Sequence, residues 1–285
     1  MDERLVDCGG LRLSVRDHAG GSPAILALHG LASNARWWDL VASRLSPHWR
    51  VLVPDLRGHG NSDKPATGYS FSEVVEDLRG LCAAEGLGRL IVAGHSWGAS
   101  VALWFAAAAP DMVLGCVCVD GGAGNLSAHI QGGWAEAEKR MRPPAMTGIT
   151  ETAVRAWIGG GPLGEGSDAE TATGILLGNF EDAGDGTLRP RLDVERHMEI
   201  AHHLYELDTF ELMGRVRCPV LFVPARDPNA PWPLEAKAES VERARAVLGD
   251  RARVVWVDGV HDLPVQRPAE VAGAMAEFCQ SLPRV

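Results

Sequence analysis

The sequence predicts an α/β fold in which helices flank a mostly parallel β-sheet. Two observations lead to this prediction. Six short runs of almost uninterrupted apolar residues recur along the chain, and such runs are typical of strands buried on both faces of a parallel sheet. Helix-like stretches lie between them, and this alternation is typical of a doubly wound sheet. The six runs are residues 24–28, 51–54, 90–94, 114–119, 220–224 and 253–257.

The size and charge of the chain limit the classes of protein to which it could belong. A length of 285 residues is normal for one large α/β domain, and 46% hydrophobic with 22% charged residues is typical of a globular protein. The net charge of −10 argues against a nucleic-acid partner and against binding to an anionic membrane surface, because both need a basic face. We expect a single soluble domain over residues 1–285, as a monomer or a homodimer.

The beginning of the chain differs from the rest. Residues 1–15 alternate apolar and polar side chains on both sides of Gly9-Gly10, which predicts an antiparallel hairpin with one face in water. The same residues are charged and do not resemble a signal peptide. The chain has no uncharged apolar stretch near the roughly 18 residues that span a bilayer.

The six cysteines form no CxxC pair and no His/Cys cluster with zinc spacing. Cys116 and Cys118 alternate within an apolar run, so we expect them on one face of a buried strand. These observations predict a cytoplasmic protein with reduced thiols.

Two helices have clear signals in the sequence. Residues 71–86 are amphipathic, with Ser72 as the predicted N-cap and Gly86 as the stop. Residues 99–110 are rich in alanine and end at Pro110.

One long region interrupts the alternation of strands and helices. Residues 124–212 contain no convincing strand, only amphipathic helical pieces between glycine-rich breaks. A structureless loop of that length is unusual inside a compact domain. We therefore predict a helical insertion that covers one end of the sheet.

The motif GHSWG at residues 94–98 carries the clearest chemical signal. It joins an apolar run to the predicted helix 99–110, and G-x-S-x-G in that setting is typical of a nucleophile elbow. The tight turn strains the serine backbone, and its glycines avoid side-chain clashes. The alternative is a glycine-bounded turn with an incidental serine. Ser96 is the predicted nucleophile, and the Trp97 N–H at a helix N-terminus can stabilise negative charge.

A second motif supports this interpretation. His29-Gly30-Leu31 follows the first apolar run, where the oxyanion loop of such a fold begins. The backbone N–H of Leu31 is the predicted second oxyanion donor. We expect His29 to hold this loop by hydrogen bonds and not to act as a base.

Together these residues give the chain a resemblance to the α/β-hydrolase family along nearly its whole length. Trp38 and Leu45 follow the His29 motif at family-like spacing, and DLRGHGNS at residues 55–62 is similar to the family's D-x-x-G-x-G-x-S loop. That loop is mainly structural in the family, so His59 and its neighbours Asp55 and Arg57 receive no chemical role. The resemblance implies an eight-stranded, mostly parallel sheet and identifies residues 124–212 as a helical cap over the active site.

The resemblance also implies a triad in the order serine, acid, histidine. His261 matches the family's base, although Val260 stands where glycine is common. Asp227 lies where the acid usually follows its strand, although Pro224-Ala225 replaces a common glycine there. Asp120, at the end of the strand before the cap, is the alternative acid, because some relatives place it there.

Other titratable side chains receive weaker roles. Asp258 and Asp262 are too close in sequence to His261 to orient its ring, so we expect loop-surface carboxylates. His202 and His203 lie in the cap-to-core segment and could reach the pocket. The remaining histidines, including His95 in the elbow, are expected to be surface or packing residues.

The chain has nine tryptophans, and packing is the default role for most of them. Four lie near the predicted site and could line an apolar pocket for an aromatic or bulky substrate. They are Trp97, Trp134, Trp157 and Trp232.

The predicted function is hydrolysis of a carboxylic ester or lactone of a small molecule, with no metal and no organic cofactor. Dehalogenases and most epoxide hydrolases of the family carry aspartate at the elbow, so Ser96 argues against both. Carbon–carbon bond hydrolases, amidases or aminopeptidases and thioesterases share the triad and stay open, as does a lyase. A slow receptor-like homologue that binds ligand is the alternative outside enzymes.

Overall fold

The computed structural model describes residues 1–146, 148–161, 163, 169–230 and 233–283. Strands in this part of the chain are β1 (Asp2–Asp7), β2 (Arg12–His18), β3 (Ile25–Leu28), β4 (Val51–Pro54), β5 (Leu90–His95), β6 (Val113–Val119), β7 (Phe180–Asp182), β8 (Leu188–Pro190), β9 (Val220–Val223), β10 (Ala225–Arg226), β11 (Ala252–Val254) and β12 (Val257–Asp258). Helices are α1 (Asp39–Leu45), α2 (Phe71–Ala84), α3 (Trp97–Ala108), α4 (Gly133–Met141), α5 (Glu151–Gly159), α6 (Ala169–Leu177), α7 (Val194–Glu206), α8 (Thr209–Arg215), α9 (Leu234–Leu248), α10 (Leu263–Gln266) and α11 (Pro268–Ser281).

Eight strands form the main sheet in the order β1-β2-β4-β3-β5-β6-β9-β11. The pairs β1/β2 and β2/β4 are antiparallel, and the other neighbours are parallel. All six apolar runs of the sequence contain strands of this sheet. The predicted fold class and the N-terminal antiparallel hairpin are therefore confirmed.

The apolar runs are buried because helices cover both faces of the sheet. Leu26 and Leu28 of β3 belong to one hydrophobic cluster, whereas Ile25 and Ala27 belong to another on the opposite face. This division follows from the two-residue side-chain period of a strand. Helices α2 and α3 contribute to the first cluster, and α1 and α11 contribute to the second.

The two cysteines of β6 also show the two-residue period of a strand. The Sγ atoms of Cys116 and Cys118 lie 3.9 Å apart, and both residues belong to the first cluster. Their predicted position on one face of a buried strand is confirmed.

The start of α2 differs from the prediction. Ser70, and not Ser72, is the N-cap, because its side chain accepts the N–H of Glu73 while the Glu73 side chain accepts the N–H of Ser70. This reciprocal arrangement is a capping box. The helix then ends at Ala84, just before Gly86, which has a φ of 60°.

The described part of the segment between β6 and β9 includes the helices α4 to α8. It also carries an antiparallel hairpin, β7/β8, so the expectation of no strand within 124–212 is wrong. Each of these strands has only three residues, too few to show an alternating pattern in sequence. Near the end of the segment, Phe210, Leu212 and Met213 of α8 belong to the same cluster as α3.

Within the described part of the chain, none of the helices combines the length and apolar character that a bilayer span requires.

Candidate active site

Ser96 lies in the sharp turn between β5 and α3, with φ 55° and ψ −122°. Two glycines make this turn possible. A Cβ atom on Gly94 would overlap the carbonyl oxygen of Gly98, and a Cβ atom on Gly98 would lie 2.5 Å from the carbonyl oxygens of Leu28 and His29. The turn therefore needs glycine on both sides of Ser96. This turn places the Ser96 side chain at the N-terminus of α3.

His261 connects the hydroxyl of Ser96 to a carboxylate. Its Nε2 lies 2.9 Å from Oγ of Ser96, and its Nδ1 lies 2.6 Å from Oδ2 of Asp120. A Nδ1–H that donates to Asp120 leaves Nε2 free to accept the serine hydroxyl proton. The three side chains thus have the arrangement of a nucleophile, a base and an orienting acid.

The structure corrects the acid assigned from sequence. Asp227 lies on the wall of the neighbouring cavity, and its Oδ1 accepts the N–H of Asn229 at 2.8 Å, within its own turn. Asp120 directly follows β6, which pairs with β5, the strand that ends just before Ser96. The alternative acid, Asp120, and not Asp227, is the partner of His261.

Asp120 is held by three donors. Besides His261, the N–H of Ala225 donates to Oδ1 at 2.8 Å, and Nζ of Lys237 donates to the same oxygen at 2.9 Å. The side chain is only 5% exposed. Burial alone would raise the pKa of Asp120, but the hydrogen bond from His261 and the nearby positive charges outweigh it and lower the pKa to about 2. Asp120 is therefore ionised at neutral pH.

The loop that carries His261 is fixed by two buried side chains. Oε1 of Gln266 accepts the N–H of Val260 at 2.7 Å, and Nε2 of His95 donates to the carbonyl of His261 at 2.9 Å. Desolvation lowers the pKa of His261, but the hydrogen bond and charge of Asp120 outweigh it and raise the pKa above its ordinary value. Burial lowers the pKa of His95 to about 4, so this ring is neutral and structural, as expected.

The loop after β3 lies against the elbow. A Cβ atom on Gly30 would lie 3.2 Å from Cβ of Ser96, a tighter contact than most Cβ atoms make, so the loop approaches the elbow closely here. Nε2 of His29 accepts the N–H of Leu56 at 3.0 Å, and its Nδ1–H donates to the carbonyl of Gly30 at 2.8 Å. Burial lowers the pKa of His29 to about 4. These contacts agree with a structural role for His29.

His59 has a positioning role that sequence reasoning missed. Its Nε2 accepts the N–H of Ala32 at 3.2 Å, and its Nδ1–H donates to the carbonyl of Arg57 at 2.9 Å. Its ring stacks on Trp97 with centroids 5.5 Å apart. Burial lowers the pKa of His59 to about 3, so the ring is a neutral acceptor. The only sequence signal was the glycine-rich loop that contains it.

A cavity of about 410 Å³ opens beside the triad. Ser96, Trp97 and His261 form its reactive end. The segment between β6 and β9 contributes Leu126, His129 and Leu204 to its wall. The opposite wall includes Phe222 and Val241, with Asp227 and Lys237.

The four tryptophans named from sequence have different positions. Trp97 is buried and lines the cavity, as predicted. Trp134 packs on His202 and Tyr205, with ring centroids 4.4 Å and 5.5 Å away, and is not part of the cavity wall.

Trp157 is 64% exposed and does not line the cavity either. The structure therefore places neither Trp134 nor Trp157 on the wall of this cavity. Trp232 lies outside the described residues.

Among the described side chains, no group of three His, Cys, Asp or Glu residues could hold a metal ion. All six cysteines in this part of the chain are free.

Comparison with known sequences relates the chain to hydrolases. A sequence model of the alpha/beta hydrolase fold matches residues 23–147. The chain is 39% identical over 117 residues to 2-(acetamidomethylene)succinate hydrolase of Mesorhizobium japonicum, which covers 41% of this chain and 42% of that protein. It is 36% identical over 126 residues to fluoroacetate dehalogenase of a Burkholderia species, and this match covers 42% of this chain and 41% of that protein. The match thus spans about two fifths of the length of these relatives.

Comparison with solved structures extends the likeness to the whole chain. The crystal structure of E-2-(acetamidomethylene)succinate hydrolase superposes with a TM-score of 0.81 and 28% sequence identity, covering 98% of this chain and 99% of that one. The superposed part of this chain includes nearly all of it, and so includes the eight-stranded sheet and the elbow between β5 and α3. The chain has the alpha/beta-hydrolase fold, and residues 23–147 match the sequence model of that fold.

Proposed function

We propose that this chain is a serine hydrolase that cleaves a carboxylic ester or lactone of a small apolar or aromatic molecule through an acyl-enzyme. The proposal depends on one observation above all. His261 bonds to Oγ of Ser96 at 2.9 Å and to the carboxylate of Asp120 at 2.6 Å, which is the contact pattern of a nucleophile activated by a base.

In the proposed reaction, His261 removes the hydroxyl proton of Ser96 as Oγ attacks the substrate carbonyl. Asp120 stabilises the imidazolium that forms. The tetrahedral intermediate then collapses, and His261 gives its proton to the departing alkoxide. Water enters, His261 takes one of its protons, and the resulting hydroxide attacks the acyl-enzyme. The acid leaves, and Ser96 recovers its proton from His261.

The proposed oxyanion donors are the backbone N–H groups of Leu31 and Trp97. Support comes from two positions: Trp97 opens α3, and Gly30 lies against Ser96. A helix N-terminus favours negative charge. Loss of one such donor typically costs about 3–4 kcal/mol of transition-state stabilisation.

We assign residues 124–212 as a cap within the single domain of residues 1–285. Among its described residues, the side chains of Asn125, Leu126, His129 and Leu204 contribute to the cavity wall. The segment is also attached to the body of the protein. Oε1 of Glu199 accepts the N–H groups of Gly68 and Tyr69, at 3.2 and 3.0 Å.

The cavity favours an uncharged acyl or alcohol group. Phe222, Val241 and Leu204 give it apolar walls. Lys237 is the lysine of its described lining, and its ammonium group already bonds to Asp120 and to the carbonyl of Ala225. A neutral substrate of small volume suits such walls better than a dicarboxylate.

Amide hydrolysis on the same triad is the second candidate. It is favoured by the likeness to 2-(acetamidomethylene)succinate hydrolase, whose name contains an acetamido group. The two candidates differ in the leaving group that His261 must protonate, an alkoxide or an amine.

Two measurements on purified protein test the proposal. Wild-type protein should react with a fluorophosphonate probe and hydrolyse a p-nitrophenyl ester, whereas Ser96→Ala should do neither while keeping its far-UV circular dichroism. Ser100→Ala, one turn along α3, is the matched control and should still react with the probe. Undiminished hydrolysis by Ser96→Ala would overturn the assignment. Parallel rates on esters, lactones, amides and thioesters decide between the two candidates.

A further inference from the structure

Lys237 connects α9 to the acid of the triad. Its Nζ lies 2.9 Å from Oδ1 of Asp120 and 3.1 Å from the carbonyl oxygen of Ala225. The N–H of Ala225 donates to the same Oδ1 at 2.8 Å. One oxygen of the carboxylate is thus held by Lys237 and Ala225, and the other faces His261.

The buried negative charge of Asp120 favours a cation beside this carboxylate. The Asp120 side chain is 5% exposed, and a buried carboxylate without a counter-ion is strongly disfavoured. Without Lys237, protonated His261 would be the nearest group able to neutralise it. An imidazolium cannot accept the proton of Ser96. With Lys237 present, the pair Lys237–Asp120 is neutral while His261 is uncharged.

Other titratable groups face the triad from the surrounding elements. Asp227 lies on the cavity wall, and Asp262 directly follows His261. The ring of His95, from the elbow, lies 4.9 Å from the ring of His261. His95 is neutral at physiological pH, and the charge of Asp262 favours a charged His261. Lys237 is the group that acts in the opposite direction.

We propose that Lys237 is a positioning residue that orients Asp120 and neutralises it, so that His261 rests as the uncharged base. This inference rests on the proposed function, since it gives His261 the role of base for Ser96. The role belongs to the ammonium group and not to the packing of the side chain. The carbonyl of Ala225 fixes that group at the end of α9 and aims it at the carboxylate.

The experiment measures the pKa of His261 directly by NMR titration of its imidazole protons. His261→Gln identifies the signal among the ten histidines. Lys237→Met removes the charge and keeps the length of the side chain, whereas Lys237→Arg keeps the charge. Lys139→Met is the matched control, because Lys139 is an exposed lysine of α4. Lys237→Gln replaces Lys237→Met if the latter does not fold, as judged by circular dichroism.

We expect the pKa of His261 to rise by about 1 in Lys237→Met, because a nearby cation disfavours the imidazolium. Lys237→Arg and Lys139→Met should keep the wild-type pKa. The pH at which fluorophosphonate labelling is half-maximal should move upward with the pKa of His261, so that labelling at pH 6 slows by about tenfold.

An unchanged or lowered pKa in folded Lys237→Met would overturn the inference. A rise shared by Lys237→Arg would also contradict it, since that variant retains the charge. If wild-type protein does not label with the probe, the proposed function fails, whereas the NMR titration still decides whether Lys237 controls the charge of His261.

Discussion

The carboxylate of Asp120 lies 2.6 Å from Nδ1 of His261, although 141 residues separate them in sequence. Asp120 directly follows β6 of the main sheet, and His261 follows β12, which pairs with β10 in a separate two-stranded sheet, so the contact joins two loops. Asp227 follows β10, yet its Oδ1 accepts the N–H of Asn229 within its own turn. The consequences for activity can be measured.

Asp120→Asn should lower kcat by about 10⁴-fold, because the amide holds the wrong imidazole tautomer and cannot stabilise the imidazolium. Asp227→Asn should keep the order of magnitude of kcat, since the asparagine side-chain oxygen can still accept the N–H of Asn229. Steady-state kinetics on a p-nitrophenyl ester compares the two variants. A larger loss of kcat in Asp227→Asn than in Asp120→Asn would contradict the acid assigned by geometry.

The rate of hydrolysis should depend on the charge of His261. The pKa of His261 is raised above its ordinary value of 6.5, and only the neutral ring accepts the proton of Ser96. Activity is therefore lost as pH falls through that raised value. Asp120, with a pKa of about 2, stays ionised throughout, and His59, with a pKa of about 3, stays neutral.

A pH profile of kcat/KM between pH 5 and pH 9 checks this expectation. Its acidic limb should have a midpoint above 6.5 in wild-type protein. A midpoint well below 6 would show that the charge of Asp120 does not dominate the base. Buffers of constant ionic strength serve as the control for screening.

Gly98→Ala should destabilise the protein strongly and abolish hydrolysis. The new Cβ would lie 2.5 Å from two carbonyl oxygens of the neighbouring loop, where only the backbone could move. We expect a loss of about 3 kcal/mol in the free energy of unfolding, measured by urea denaturation. Gly273→Ala, in α11, is the control, since its Cβ would meet nothing within 4 Å. That variant should gain about 0.5–1 kcal/mol from helix propensity.

His59→Phe should slow turnover although His59 does not belong to the triad. The phenyl ring can keep the stacking on Trp97 but cannot accept the N–H of Ala32. The unpaired N–H should cost about 1–3 kcal/mol in the free energy of unfolding. Movement of the adjoining loop should lower kcat by about tenfold. His48→Phe, at an exposed position, should change neither quantity. Equal kcat in both variants would show that His59 does not position the loop.

The sheet and the nucleophile could be predicted from sequence because their signals are local. Each buried strand from β3 to β9 of the main sheet is a nearly continuous apolar run, and the elbow is a five-residue motif between a strand and a helix. Gly94 is required within that same turn, because its Cβ would overlap the Gly98 carbonyl, whereas Gly98 is required because its Cβ would meet the carbonyl oxygens of Leu28 and His29. His261 could be predicted from its position before the closing helices α10 and α11.

The acid and the pocket wall could not be decided in the same way. Asp120 and Asp227 both follow strands, and the choice depends on the N–H of Ala225 and on Lys237, which are 105 and 117 residues away from Asp120. The capping residue Ser70 and the candidate Ser72 share a chemical type and differ only in backbone geometry. For Trp157, helical periodicity gives no information about which side of the insertion faces the cavity.

The excursion of residues 121–219 follows Asp120 at the end of β6 and returns at β9, and these two strands pair directly with each other. The pairing of Cys116 with Val220 and of Val119 with Val223 brings both ends of the excursion together. The length of the excursion can therefore change without altering the sheet. Ser96 and His261 lie outside this excursion, whereas Leu126, His129 and Leu204 lie inside it. The proposed triad is thus encoded outside this stretch, whereas part of the cavity wall is encoded within it. Grafting a foreign excursion onto this sheet offers a way to change the substrate range and keep the nucleophile and its base.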